Sequence, residues 1–423
     1  MSAGGAPPGG SAGPAAAPDS SLRPLLWTVF LPAAVYGVGQ GAAAPVIALT
    51  ARDLGASVGL AGLSVAAVGL GLLLGDLPAG RIVARFGERI AIVGGTAAGT
   101  IGVLACLFAP NVAVLLTGVV LTGLANAVWG LARQGYLAEA VPYARRARAM
   151  AGLTGMMRLG FFVGPFLGAA TILLVGVRGG FVVQLVAVGV AGVLMARLPD
   201  PPRQPPAGPA PTVTRVALRH RRLLGTLGAG SLLMGAARAS REAVLPLWAD
   251  HLGLDAATAS IVFGIGAAID LACSYPAGQL MDRFGRSIVA VPSLLVMALS
   301  YALVPLAVGP ASLTAVAVVM GVGNGLGNGV IMTLGADVAP AGTRAEFLGA
   351  WRLTHDAGMF VGPLLVGLVA AAGSLVAAVA ALGAVSALGA AVLGRTIPVH
   401  APAPARPAPA DQPTAPTQTG RSA

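Results

Sequence analysis

Arg238, Arg241 and Glu242 stand inside a stretch, Leu223 to Ala249, that is otherwise apolar or small. Spacings of three and four residues put all three on one helix face. The pattern recurs as Arg352, His355 and Asp356, while Asp270 and Arg158 stand alone in two further apolar stretches. Two kinds of chemistry suit such groups in a low dielectric: acids and imidazoles take up protons, and guanidiniums hold anions. Asp270, Glu242, Asp356 and His355 are therefore the candidates for proton coupling. Arg158, Arg238, Arg241 and Arg352, with Gln40, Asn126, Asn324 and Trp129, are the candidates for lining a substrate cavity. A structural reading competes for two pairs, because Arg238–Glu242 and Arg352–Asp356 have the i,i+4 spacing of intrahelical ion pairs. Asp270 has no opposite charge at i±3 or i±4, so it needs a partner from another helix or a proton. Asp76, two residues before Pro78, suits capping or gating as well as coupling, and Asn126, Asn324 and Asn328 suit bonds between helices.

The elements that must position these residues are membrane helices. Of the 423 residues 56% are hydrophobic and 10% charged, far from a soluble average. Apolar runs long enough to cross a bilayer predict spans at 25–50, 58–82, 90–109, 112–138, 147–175 and 178–197, then 222–249, 256–281, 288–308, 312–337, 345–370 and 374–394. The 26 basic residues are all arginine and fall mostly in alternate loops: Arg81, Arg85 and Arg89; Arg145, Arg146 and Arg148; Arg215, Arg219, Arg221 and Arg222; Arg283 and Arg286. That asymmetry predicts that these loops, and both termini, are cytoplasmic. It also accounts for the net charge of +11 through lipid contact and not through nucleic acid.

The chain divides into a tail at 1–22, a six-helix bundle at 23–197, a Pro-rich cytoplasmic linker at 198–221, a second bundle at 222–395 and a tail at 396–423. Both tails read as disordered cytoplasmic segments. The two bundles repeat in one register, since an offset of 198 carries Pro78-Ala79-Gly80 onto Pro276-Ala277-Gly278, Asn126 onto Asn324, and Gly164-Pro165 onto Gly362-Pro363. Parallel six-span repeats are a transporter architecture with the substrate site between halves near the midplane. The chain has no lysine and hence no phosphate-binding loop of the ATPase kind, and the run "GVGNGLGNG" (Gly321 to Gly329) lies inside a span without the strand and helix such a loop needs. Cys106 and Cys273, each within an apolar run, offer neither a disulfide framework nor metal spacing.

At two loops the chain resembles the major facilitator superfamily. "GQLMDRFGR" (Gly278 to Arg286) matches the family's loop motif in full, and "GRIVARFGER" (Gly80 to Arg89) is the first-half copy, with Ala84 in place of the usual Asp. "GFFVGPFLG" (Gly160 to Gly168) is similar to the Gly-Pro motif of the drug:proton antiporter branch, although Ala151 replaces an upstream glycine and Val119 the branch's span 4 arginine. The resemblance implies twelve helices in two repeats, no cofactor, and a cytoplasmic gate in which the loop-motif Asp faces a helix start in the opposite half. Gly80, Arg85, Gly87, Gly278, Asp282, Arg283, Gly285 and Arg286 would belong to it. Asp282 would then meet Arg148. Because Glu346 is the equivalent of Arg148 under the 198 offset, the residues themselves suggest an Arg85–Glu346 contact that balances it with polarity reversed, although Glu346 suits equally well a favourable acid in a helix's first turn.

These expectations converge on an all-α polytopic membrane protein of the major facilitator fold that is not an enzyme. It would be a monomer in the inner membrane that exchanges protons for a small organic substrate and exports it. Uptake of an anionic metabolite by proton symport is the alternative within transport, and a non-transporting membrane sensor is the alternative outside it.

Overall fold

The computed structural model describes residues 25–197, 213–340 and 342–401. Helices and short connections account for all of them. The first tail, most of the linker and the second tail beyond residue 401 lie outside the described residues. In the first half, a π-helical turn Leu26–Phe30 leads into α1 (Leu31–Asp53), followed by α2 (Val58–Phe86), α3 (Glu88–Leu107), α4 (Val112–Ala140), α5 (Tyr143–Val175) and α6 (Gly179–Ala196). A short linker helix, Val213–Arg219, precedes α7 (Arg221–His251) and α8 (Ala256–Phe284). Next are α9 (Ser287–Leu303), α10 in two segments (Pro310–Leu326 and Val330–Val338), α11 (Arg344–Ala372) and α12 (Leu375–His400). All twelve expected spans are present. Eleven of them are long and apolar enough to cross a membrane. The exception, α7, is the helix that carries Arg238, Arg241 and Glu242.

Beyond shifts of a few residues at several helix ends, three features differ from the sequence reading. The linker contains a helix, whose Val213 and Val216 pack under the start of α11. α12 runs on to His400, beyond the expected end of the second bundle at 395. Most consequential, α10 is not continuous: it stops at Leu326 and restarts at Val330, with Gly329 at φ 80°, a left-handed conformation that favours glycine.

The repeat extends to local geometry. Ser57 and Asp255, 198 residues apart, cap the first turns of α2 and α8 by accepting from the Leu60 and Thr258 backbone N–H groups. Bonds from Thr258 hold the Asp255 carboxyl below the usual carboxylate range. Gly87 and Gly285, likewise equivalent, end the same two helices with φ of 85° and 92°. The Gly-Pro pattern of α5 also recurs. A methyl group at Gly160 or Gly164 would strike the Ala34 or Val38 carbonyl of α1, and one at Gly358 or Gly362 would strike the Leu232 or Ala236 carbonyl of α7. In both halves, then, this pattern brings two backbones together.

Between the halves, α2 packs on α11, α5 on α8 and α1 on α7. The apolar core shows how these seams differ along their length. At the arginine-poor ends of the helices one continuous cluster draws on both halves, from Ala43, Val65 and Phe181 to Val244, Phe263 and Tyr301. At the arginine-rich ends there are two clusters, one around Trp129 and Leu137 in the first half and one around Met234 and Phe347 in the second. The halves are sealed together at the arginine-poor face and part toward the arginine-rich face. An ion pair, Arg52 Nε to Asp250 Oδ2 at 2.8 Å, joins the ends of α1 and α7 on the sealed side.

Candidate functional site

Asp270 lies midway along α8 and is 7% exposed. Side chains from α5, α7 and α10 converge on its carboxylate. Arg158 Nη1 lies 3.6 Å from Oδ1, and Arg241 Nη2 donates to Oδ2 at 3.3 Å. Asn324 Nδ2 donates to Oδ2 at 2.7 Å, and Asn328 Nδ2 to Oδ1 at 2.5 Å. The counter-charge that Asp270 lacks on its own helix comes from two others. Arg238 reaches the carboxylate only through the amides: its Nε donates to Asn324 Oδ1 at 2.9 Å and its Nη2 to Asn328 Oδ1. Its third bond, Nη1 to the Gly327 carbonyl at 3.0 Å, uses a backbone oxygen in the break of α10.

This arrangement overturns the intrahelical Arg238–Glu242 pair. Arg238 is turned to α10, and half-buried Glu242 has neither ion pair nor hydrogen bond among the described residues. Counting Arg158, Arg238 and Arg241 against Asp270, the cage carries surplus positive charge.

A second cluster bridges the halves between α2 and α11. Arg352 Nε donates to Asp356 Oδ2 at 3.1 Å, so this intrahelical pair does form. The same guanidinium extends to the first half, with Nη2 3.8 Å from Asp76 Oδ1. The other Asp76 oxygen is buried with no hydrogen-bond partner, and Asp76 and Asp356 share the one Arg352 guanidinium. His355 turns away from this cluster. It packs against α7, where a methyl group at Gly235 would sit 3.1 Å from its Nδ1, and that nitrogen is buried without a partner.

In the first half, Tyr36 of α1 stacks on Trp129 of α4 at 4.2 Å between centroids and donates to Asn126 Oδ1 at 3.4 Å. Gln40 follows Tyr36 one turn along the same helix. Trp129 is 1% exposed and donates to Thr96 Oγ1 at 3.0 Å, so in this conformation it is a wall of the bundle and does not line the cavity. Sequence reasoning missed Arg133, one turn beyond Trp129. It is 4% exposed, its guanidinium lies 5.3 Å from the Trp129 ring, and its Nε and Nη1 have no hydrogen-bond partner. A charge inside a span was the available signal, obscured because Arg133 lies near the predicted end at 138.

The gate candidates lie at the arginine-rich ends. Gly80 and Gly278 lie in the last turns of α2 and α8, and Gly87 and Gly285 end those helices. Arg85 and Arg283 lie over the neighbouring Phe86 and Phe284 rings. Arg286 stays within the second half, with Nε 2.8 Å from Asp337 Oδ2 and a weaker 4.0 Å approach to Asp282. Among the described residues no Asp282–Arg148 or Arg85–Glu346 ion pair is formed. Neither is expected while the halves are parted at this face.

A sequence model described as Major Facilitator Superfamily matches residues 29–271 and 228–422. The chain is 29% identical over 267 residues to "Transcription regulatory protein OpdE" of Pseudomonas aeruginosa, covering 60% of this chain and 64% of that protein. It is 30% identical over 135 residues to "Putative metabolite transport protein YwtG" of Bacillus subtilis, covering 31% and 29%. These matches span less than two thirds of either relative. Among solved structures, a D-xylose-proton symporter superposes with TM-score 0.69 at 17% identity, covering 86% of this chain and 96% of that one. A POT family transporter in complex with 5-aminolevulinic acid gives 0.69 at 13% identity, covering 89% and 96%. A point mutant of the nucleoside transporter NupG gives 0.68 at 15%, covering 90% and 100%. At these identities the likeness is one of fold.

Proposed function

The chain belongs to the Major Facilitator Superfamily, and on that premise we propose that it is a proton-driven secondary transporter that exports small organic molecules by alternating access. The observation that carries the reading is the pair of buried ionic clusters strung between the halves, Arg158–Asp270 and Asp76–Arg352–Asp356. Buried ions facing a wet cavity are where transporters bind substrate and protons. Each cluster also ties a helix of one half to a helix of the other, so binding there can bias how the halves sit. The arginine-rich face is cytoplasmic in this reading, which makes the described state inward-open. The protein is a monomer of the inner membrane, with both termini in the cytoplasm.

Export rests on the resemblance of Gly160 to Gly168 to the antiporter motif. The cation surplus around Asp270 favours a second reading, proton-coupled uptake of an anionic metabolite. The regulatory name of one relative favours a third, a sensor that binds but does not transport. A growth-inhibition panel of diverse toxic compounds, with and without expression, separates them. Protection supports export, sensitisation to a toxic anionic analogue supports uptake, and an unchanged panel with altered transcription supports sensing.

A further inference from the structure

We propose that Asp76 and Asp356 are the transporter's proton-binding site, sharing one proton across the seam between α2 and α11, and that this proton must be bound before the arginine-rich side of that seam can close. The idea rests on the proton-driven reading above, but it moves the proton from Asp270 to Asp356 and joins it to Asp76, a residue the sequence left open between capping, gating and coupling.

Three observations lead to it. First, two carboxyl groups share one guanidinium. Arg352 is 3.1 Å from Asp356 Oδ2 and 3.8 Å from Asp76 Oδ1, which leaves one negative charge in excess if both acids are ionised. Second, Asp76 Oδ2 is buried and unpartnered, on a carboxyl that shares its guanidinium with Asp356. A proton on Asp76 would donate to Asp356 and satisfy both. Asp270 offers no such vacancy, because four nitrogen atoms from Arg158, Arg241, Asn324 and Asn328 already face its two oxygens. A proton there would confront donors on every side.

The third observation is position. Along the sealed part of the seam, α2 and α11 touch backbone to backbone: a methyl group at Gly62 would lie 2.9 Å from Gly367 Cα, and one at Gly69 2.6 Å from Phe360 Cα. Asp76 is two turns beyond Gly69 and Asp356 one turn beyond Phe360, so the acids stand where the seam begins to part. The other charged or titratable groups nearby are His355 on α11, Arg133 on α4 toward Arg352, and Arg238 on α7 toward His355. None of these supplies Asp76 with a second cation.

With the halves parted, the Arg352 side chain is a third exposed, so water at the edge of the cluster screens the excess charge. Zipping the seam shut would expel that water and leave an uncompensated carboxylate in low dielectric. A bound proton removes the penalty. The carboxylate of Asp76 becomes a carboxyl, its O–H donates to Asp356, and Arg352 balances the remaining charge.

The test reads the seam directly and needs no substrate. Spin labels replace exposed Arg81 and Arg344, at the arginine-rich ends of α2 and α11, with Cys106 and Cys273 changed to alanine. Inter-label distances are then measured in lipid nanodiscs from acid to alkaline pH. In the otherwise unchanged protein the short-distance population should grow as pH falls. Asp76→Asn should show the short distance at every pH, and Asp76→Glu should keep the transition with a shifted midpoint. No pH response in the parent protein, or a response in both Asp76→Asn and Asp356→Asn that matches the parent, overturns the proposal. If Asp76→Asn does not fold, an unshifted midpoint in Asp76→Glu overturns it equally. None of these outcomes depends on the growth panel, so failure of the export reading and failure of this site are separately visible.

Discussion

Replacing Asp270 by asparagine should unfold more than it uncouples. The carboxylate receives Arg241 and Arg158 at 3.3 and 3.6 Å and two asparagine amides at 2.7 and 2.5 Å. An asparagine has one acceptor oxygen in place of two and brings its own N–H donors into a ring of donors. Arg241 is then stranded, since its side chain is 7% exposed. Arg158, at 29%, can turn partly to water. Removing one partner of a buried pair costs about 3–5 kcal/mol, and the exposure of Arg158 favours the lower part of that range. The assay is unfolding of the purified protein in mixed micelles with a rising fraction of denaturing detergent. Neutralising the stranded cation should recover much of the loss, so Asp270→Asn with Arg241→Gln should be more stable than Asp270→Asn alone. A single variant within about 1 kcal/mol of the parent, or a double variant no better than the single, would refute the cage as a stabilising unit.

Asp250→Asn should favour the outward-open state only modestly, by about 1 kcal/mol or less, because the Arg52–Asp250 pair is a third exposed on each side. Labelling of a cysteine at Phe166 by an impermeant thiol reagent would report it, with recovery in the swap Arg52→Asp, Asp250→Arg. Gly69→Ala should cripple folding or transport because its methyl meets Phe360 backbone at 2.6 Å, whereas Gly94→Ala, with nothing within 4 Å, should be neutral or stabilising by about 1 kcal/mol. Glu346→Arg should impair transport and Arg85→Glu added to it should restore part; a double variant no better than either single one would exclude that gate contact. Asp255→Ala should lose about 1 kcal/mol of capping, read in the same detergent titration. Since the folded state lowers the Asp255 pKa, that difference should be full above the ordinary carboxylate range and vanish as pH falls through the lowered value.

Span positions and the two-fold repeat were legible because apolar length and loop motifs are local signals. Even the caps at Ser57 and Asp255 obey the 198-residue register. Partner choice was not, because it depends on how neighbouring helices rotate. Arg238 and Glu242 have the spacing of a pair, yet a break in the next bundle member offered Arg238 two amides and a carbonyl instead. That break was itself hidden, since a Gly-rich apolar run in α10 reads as an ordinary span. Asp76 was visible as an acid near Pro78, but only the crossing of α2 with α11 reveals that it shares Arg352 with Asp356.

The latch between Arg52 and Asp250 joins residues 198 apart, the interval that relates the two halves. The bond therefore links a position to its own counterpart and lies at the approximate symmetry axis. In a homodimer of identical half-length chains that site would be isologous and would set like charge against like. Arginine would face arginine, or aspartate aspartate, and the contact would repel. Only copies that differ at this position can hold this attraction, so the bond that seals one face is also a physical record of asymmetry between the repeated halves.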